Sequence, residues 1–386
     1  MRKPMFVIFF SVFLTAYSLI NFYIFLKGWQ GLEPYDTYRT VYAVIFFVFY
    51  ASFIAGRVLE RMGSTWFSTA LVWIGSFWLA AMVYFFVIVV FIDLVRLANH
   101  IVPFYPGFIT ANYQCVKIYL MAGVVLIISV AIIAGHLNAV TPKVKNLDIA
   151  IEKKRGAFTG LTIAAASDIH LGTIISKARL EHIIETINGL NPDIVLLPGD
   201  VIDEDLGPVI SNNLGELLRK IKSKYGVYAI TGNHEYIGGV EAACKYLTEH
   251  GITMLRDRSV MIENSLYLVG REDLSSRGFA GIKRKELKEI MADVDTALPI
   301  ILMDHQPYKL NEAVENNVDL QLSGHTHHGQ MWPFNYLTQS IYELSWGYLR
   351  KGKTQFYVSC GAGTWGPPVR IGNTPEILNI RLTFNG

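Results

Sequence analysis

Residues 161–200 read "LTIAAASDIHLGTIISKARLEHIIETINGLNPDIVLLPGD", and the fold class turns on how that stretch divides. "LTIAAA" is an unbroken apolar run of strand length that stops at a polar cluster, "SDIH". In "SKARLEHIIETINGL", Leu180, Ile183, Ile184 and Ile187 recur at helical spacing. "PDIVLLPGD" then repeats the first pattern, a buried-strand composition followed by an aspartate. Strand, helix and strand in that order predict an α/β layered domain.

The same rhythm continues downstream. "NNLGELLRKIKSK" reads as helix, "GVYAITGNHE" as strand and "GVEAACKYLTEHG" as a helix closed by glycine. "ITMLRDRSVMIENSLYLVG" reads as strands about a turn at Glu263, Asn264 and Ser265, and "IKRKELKEIMADV" as helix. "LPIILMDHQPY" and "VDLQLSGHTHHGQ" read as strands with the helical "KLNEAVENN" between them, and the tail from "TQFYVSCGAG" to "PEILNIRLTF" reads as strands. Five of these apolar runs end in Asp, Asn or His: "SDIH", "PGD", "TGNHE", "MDHQ" and "SGHTHH". Sites in α/β domains gather beyond the carboxyl ends of strands, so the five ends are expected to share one pocket.

That pocket would hold Asp168, His170, Asp200, Asn233, His234, His305, His325 and His327. Carboxylate and imidazole suit Mn, Fe or Zn, whereas an all-oxygen Ca or Mg cage does not recruit so many histidines. Such an inventory suits a pair of metals clamping an in-line phosphoryl displacement. Each cluster alone is weak. "GD" is common in turns, a lone histidine near a proline is ordinarily structural, and "GHTHHGQ" by itself also suits a mononuclear zinc site. Read as a strand, that segment would point His325 and His327 to one face and His328 to the other.

The ordered set Asp-x-His, Gly-Asp, Gly-Asn-His-Glu, a lone His and Gly-His-x-His resembles the calcineurin-like metallophosphoesterase superfamily, and "GAGTWGPPVRIGNTPEI" resembles its YkuE/YaeI-type branch. The resemblance covers about 158–386. It implies a two-sheet β-sandwich flanked by helices, with Asp168, His170 and His327 on one metal, Asn233, His305 and His325 on the other, and Asp200 bridging. It implies further that His234 donates a proton to the leaving oxygen or opposes the developing charge, a task suited to imidazole. Glu235 is then expected to orient the groups that hold the metals from behind them. His328 departs from the branch, where glycine is usual, and a place on the substrate rim or in the packing is left open. Arg271 is a candidate phosphate contact or a solvated loop charge.

The front of the chain is of another kind. Residues 4–26, 40–56 and 62–92 lack charge, and 118–142 holds only His136 as an ionisable group. A helix needs about 20 apolar residues to cross a bilayer, so an all-α membrane domain of four spans is expected over 1–142, at about 5–26, 40–56, 66–92 and 118–138. The first span is too long for a signal peptide and lacks a small-residue cleavage site. Arg2, Lys3, Arg57, Arg61, Lys143, Lys145, Lys153, Lys154 and Arg155 fall on one side and Lys27, Arg39, Arg96 and Lys117 on the other. This bias places the catalytic domain in the cytoplasm. Residues 143–157 are expected as a juxtamembrane linker, either solvated or touching anionic headgroups.

A net charge of +2 and no basic block with interleaved aromatics argue against nucleic acid as a partner. Cys115, Cys244 and Cys360 are scattered and odd in number, so they are expected as buried thiols. The aromatic stretch 331–349 is expected either to pack as a hairpin core or to form a rim that rests on the membrane and admits a lipid tail. The resulting expectation is a membrane-anchored phosphohydrolase with two divalent ions (Mn, Fe or Zn), attacking a phosphoester or pyrophosphate with metal-activated hydroxide. Its leading substrate class is a phospholipid or lipid-linked phosphate. The alternatives are a noncatalytic receptor or scaffold with a ligand-binding domain of this type, and a phosphodiesterase of soluble substrates. A transporter is disfavoured because the four spans contain no Asp, Glu, Lys or Arg.

Overall fold

The computed structural model describes residues 3–33, 35–153 and 156–385, with side chains from residue 11 onward. Arg2, Lys154 and Arg155, on which the orientation expectation partly draws, lie outside the described residues. The chain divides into two compact units, Arg2–Leu137 with Gly366–Val369 and Asn138–Trp365 with Arg370–Gly386.

The first unit is helical. Its long helices are Lys3–Gly31, Asp36–Met62, Trp66–Ile101 and Tyr113–Ala139, and Ser11–Gly31 of the first and the whole of the other three are long and apolar enough to cross a bilayer. They extend beyond the predicted apolar cores, and the third takes in Asp93, which pairs with Lys27 at 2.5 Å and accepts from the Tyr23 hydroxyl at 2.6 Å. Inside, Tyr17, Phe46, Trp78 and Met82 pack together. Asn21 accepts from Trp78 Nε1 at 2.9 Å, so its buried amide oxygen is satisfied. A Cβ on Gly75 would come within 2.4 Å of Phe53 Cα, the close backbone approach that small residues permit between apolar helices.

The second unit is an α/β fold of two mixed six-stranded sheets. Its strands are β1 (Lys143–Ile151), β2 (Gly160–Ala165), β3 (Ile194–Pro198), β4 (Val227–Ile230), β5 (Thr253–Met254), β6 (Arg258–Ile262), β7 (Leu266–Gly270), β8 (Ile300–Met303), β9 (Leu320–Ser323), β10 (Gly347–Lys351), β11 (Thr354–Val358) and β12 (Glu376–Phe384). One sheet has the order β1-β12-β2-β3-β4-β5 and the other β10-β11-β9-β8-β7-β6. Ile163, Leu196 and Ile380 from the first sheet meet Leu268, Met303, Leu322 and Tyr357 from the second in a shared core. The outer face of the second sheet buries Val269, Leu302 and Phe356 against Leu287 and Ile290. Both faces of the central strands are therefore covered, which is why they read as continuous apolar runs. The helix Lys177–Gly189 buries Leu180, Ile183, Ile184 and Ile187, its predicted stripe.

Several expectations are corrected. Residues 143–151, expected as linker, are an edge strand that pairs in parallel with β12 from Lys143↔Glu376 to Ile151↔Phe384. Alternating apolar residues decide this: Ile149 and Ile151 enter the sandwich core. The segment "GHTHHGQ" is not strand, since β9 stops at Ser323. Helix 287–290 is one turn where a longer one was expected. Cys115 is exposed, while Cys244 and Cys360 are buried. Only the end of the stretch 331–349 packs as a hairpin: β10 pairs antiparallel with β11, and Leu344 and Leu349 lie against the second sheet's outer core. The earlier part of the stretch contains a helix, Phe334–Ile341, with no buried residue.

Candidate metal centre

β2, β3 and β4 run parallel in one sheet and β8 and β9 run parallel in the other, so their carboxyl ends gather at one edge of the sandwich. Backbone bonds lock the loops that leave them: Asp168 N donates to Gly199 O at 3.1 Å, His170 N to Asp200 O at 3.0 Å and Gly324 N to His305 O at 2.9 Å. Asp168, His170, Asp200, His325, His327 and His328 all have φ between 45° and 71°. Left-handed backbone at so many non-glycine positions costs energy that the surrounding structure must over-determine, a pattern typical of functional sites.

The left-handed turns replace strand alternation as the device that aims the histidines. His327 Nε2 lies 3.0 Å from His170 Nε2 and 3.5 Å from Asp168 Oδ1. His325 turns to the other side, with Nδ1 2.7 Å from Asn233 Oδ1, so the two histidines serve different groups. The result is one cluster of Asp168, His170 and His327 and another of Asp200, His305 and His325, each with donor atoms within 4.8 Å of one another. Asp200 Oδ2 lies 3.0 Å from His305 Nε2 and 3.8 Å from His170 Nε2, between the two. Asp168 Oδ1 accepts from His325 N at 2.8 Å and joins them again. Gly324 and Gly232 are required by close approach: a Cβ at either would come within 2.1 Å of Asp168 Oδ2 or Asp200 Oδ1 respectively.

These groups fit a bound cation. Pro198 O, which can only accept, lies 2.8 Å from His305 Nδ1, so that nitrogen carries the proton. His305 Nε2 is buried without a well-directed hydrogen bond and faces a carboxylate oxygen. A lone pair against an anion requires a positive charge, from a second proton or from a metal ion. Burial opposes charging His305, but the Asp200 carboxylate outweighs it and holds the ring's pKa well above the usual imidazole range. Burial and the neighbouring His170 and Arg370 hold His327 well below that range, and burial with His305 lowers His325 to about 4. Both rings are neutral near pH 7 and have a lone pair to offer.

His234 stands beside both clusters. Its backbone N donates to Asp200 Oδ1 at 2.9 Å, and its Nδ1 pairs with Asp203 Oδ1 at 2.9 Å. Burial lowers its pKa, yet Asp200, Asp203 and Glu204 together raise it to about 9. Glu235 is buried and accepts from Asp200 N, Ile202 N and Gly232 N at 3.1, 2.9 and 2.7 Å, so it ties the loops after β3 and β4 together. Burial, then the Asp200 charge, pushes its pKa up to about 7.

Two predicted contacts move away from the site. Arg271 is buried and paired with Asp304 at 3.1 Å and Glu312 at 2.8 Å, so its guanidinium braces the residue before His305 and is not free for phosphate. His328 is buried with Nδ1 3.2 Å from Ser345 Oγ and its ring against Trp346, a packing role and not a place on the rim. Two residues were missed. Asp203, which also lies 3.6 Å from His170 Nδ1, follows Asp200 by three in "GDVID", and that spacing is the only local signal. Arg370 is almost wholly buried, donates to Cys360 O and Gly363 O at 2.6 Å and sits 3.1 Å from His327 Nδ1. It lies within the branch-like stretch "GAGTWGPPVRIGNTPEI", where nothing in the residues beside it points to a buried partner.

The calcineurin-like phosphoesterase family signature matches residues 161–329, the segment that supplies both clusters. An Aquifex aeolicus metallophosphoesterase is 31% identical over 67% of this chain and 99% of its own length. This chain belongs to the calcineurin-like metallophosphoesterases. A Campylobacter jejuni protein described as an uncharacterized metallophosphoesterase is 29% identical over 98% of both chains, membrane helices included. A Danio rerio protein described as a transmembrane protein with metallophosphoesterase domain is 33% identical over 67% of this chain and 61% of its own length. The chain is thus a membrane metallophosphoesterase, and its family uses divalent metals.

Asp203 gives a prediction that tests position rather than presence. Its carboxylate helps keep His234 protonated, and that form is lost as pH rises through the raised pKa. In Asp203→Asn the alkaline limb of kcat/KM is expected to move to lower pH while the acid limb stays. A pH profile of both proteins checks this, and coincident alkaline limbs would remove Asp203 from any role in holding His234.

Proposed function

We propose that the protein is a membrane-tethered phosphohydrolase that works with two divalent ions (Mn, Fe or Zn) on a substrate presenting its phosphoester or pyrophosphate at the bilayer surface. The observation that carries this reading is Asp200 lying between two His/Asp clusters on a chain with four bilayer-length helices. Asp168, His170 and His327 would hold one ion, Asn233, His305 and His325 the other, and Asp200 both. The ions when bound would polarise the phosphoryl group and lower the pKa of the attacking water. His234 then acts as proton donor to the leaving oxygen, oriented by Asp203, and Glu235 keeps the Asp200 and Gly232 loops in register.

The short covalent path supports a lipid-borne substrate. Only residues 140–142 separate the last bilayer-length helix from β1, which keeps the catalytic unit close to the bilayer. Around the centre, Trp365 lies against His234 and Tyr342 against His325, half-apolar surfaces suited to a tail-bearing ligand. The lysine and arginine bias of the sequence supports a cytoplasmic position for this unit.

The test is phosphate or phosphoalcohol release by detergent-purified protein from a panel of lipid and soluble phosphoesters, with Mn added and with metal stripped. Metal-dependent turnover that favours lipids supports the reading. Efficient cleavage of soluble diesters with lipids untouched would replace it by a soluble-substrate phosphodiesterase. No turnover with two ions bound per chain would favour a ligand-binding role.

A further inference from the structure

Residues 332–342, "WPFNYLTQSIY", carry no charged side chain, yet none of them is buried. Within the helix Phe334–Ile341, Phe334, Leu337 and Ile341 recur at i, i+3 and i+7 and leave 38, 56 and 51% of their surfaces exposed. Trp332 and Trp346 beside it are likewise exposed. A contiguous apolar surface of this kind marks an interaction site, and its chemistry must name the partner.

Three observations name a lipid surface. First, Trp332 N donates to Ile371 O at 2.7 Å, and the same strip of chain holds Asn138, whose Nδ2 donates to Arg370 O at 3.0 Å and Asn373 O at 2.7 Å. Asn138 is the penultimate residue of the bilayer-length helix Tyr113–Ala139, so the apolar helix begins beside the point where the chain leaves the membrane. Second, an open recess of about 510 Å³ there is lined by Lys143, Lys145, Trp346 and Thr374, and both lysines are exposed. Cations beside such a surface complement anionic lipid headgroups. Third, the exposed residues include tryptophan and tyrosine, whose amphipathic rings favour the headgroup level.

We propose that the Phe334–Ile341 helix is an interfacial element: Phe334, Leu337 and Ile341 with Trp332 enter the headgroup–acyl boundary of the bilayer the chain spans, and Lys143 and Lys145 face anionic lipid phosphates. A helix in the interface buries its apolar face at the headgroup–acyl boundary, and cations close to it add attraction to anionic lipids. The placement does not depend on the catalytic reading, since insertion needs no turnover.

The test uses the full chain in lipid nanodiscs, on a Cys115→Ala background because Cys244 and Cys360 are buried. Leu337→Cys, Ile341→Cys and, as a control on another helix, Lys245→Cys are labelled with a fluorophore, and lipids bearing a nitroxide near the headgroup are added. Loss of most of the emission at 337 and 341 with little loss at 245 is the expected result. Adding Lys143→Gln and Lys145→Gln is expected to weaken that quenching in anionic discs only. Labels at 337 and 341 no more quenched than the control would overturn the proposal. So would label-to-label transfer between two copies without lipid quenching, which would make the face a self-association surface.

Discussion

Asp200→Asn is expected to lower phosphoester hydrolysis by about 10²–10³-fold, the scale of losing a group that stabilises transition-state charge. The substitution preserves shape. Asparagine Oδ1 can still accept from His234 N, so the loop after β3 keeps its anchor. What disappears is the anion between the two clusters. Burial opposes the charge on Asp200, but His305, His234 and His170 outweigh it and hold the carboxyl well below the ordinary carboxylate range. Without that charge neither cluster has a shared anionic donor, and elemental analysis should find fewer ions per chain as rates fall. A variant that kept two ions and normal rates would place Asp200 outside the centre.

His234→Ala is expected to cost about 10²–10⁴-fold in kcat, the range for loss of a general acid, while metal content stays unchanged. The two predictions separate on that second readout. His234 reaches Asp200 through its backbone N–H, which alanine keeps, and its ring pairs with Asp203 and meets His170 only edge-on, with ring centroids 4.6 Å apart. The leaving group sharpens the test. A poor leaving group such as an alkyl alcohol needs the proton most, so its ester should lose more than a nitrophenyl ester. Equal losses would assign His234 a purely electrostatic role.

Local pattern made much of this legible. Apolar runs of bilayer length identify the four membrane helices, and strand-length runs that stop at Asp, Asn or His identify the elements that carry the centre. Such features are written in consecutive residues because each depends on one segment's own hydrophobic period and length. The motif glycines also speak locally once their neighbours are known, since Gly232 and Gly324 each leave room for a carboxylate.

Partners distant in the chain decided the rest. Residues 143–151 have the composition of a linker at one end and become a strand only because β12, more than two hundred residues later, offers its edge. His325 and His327 look alike as i and i+2 on a strand. Left-handed backbone after Ser323 instead sends them to separate clusters. Arg271 reads as a free cation until Asp304 and Glu312 are brought to it. Asp203 and Arg370 acquire meaning only through His234 and His327. The sequence by itself determined which segments are apolar and where chemistry-bearing residues interrupt them, because those properties are intrinsic to a segment. Tertiary structure alone decided which charges are paired, which way each imidazole turns and which apolar helix is left uncovered, because each depends on a group the chain brings from far away.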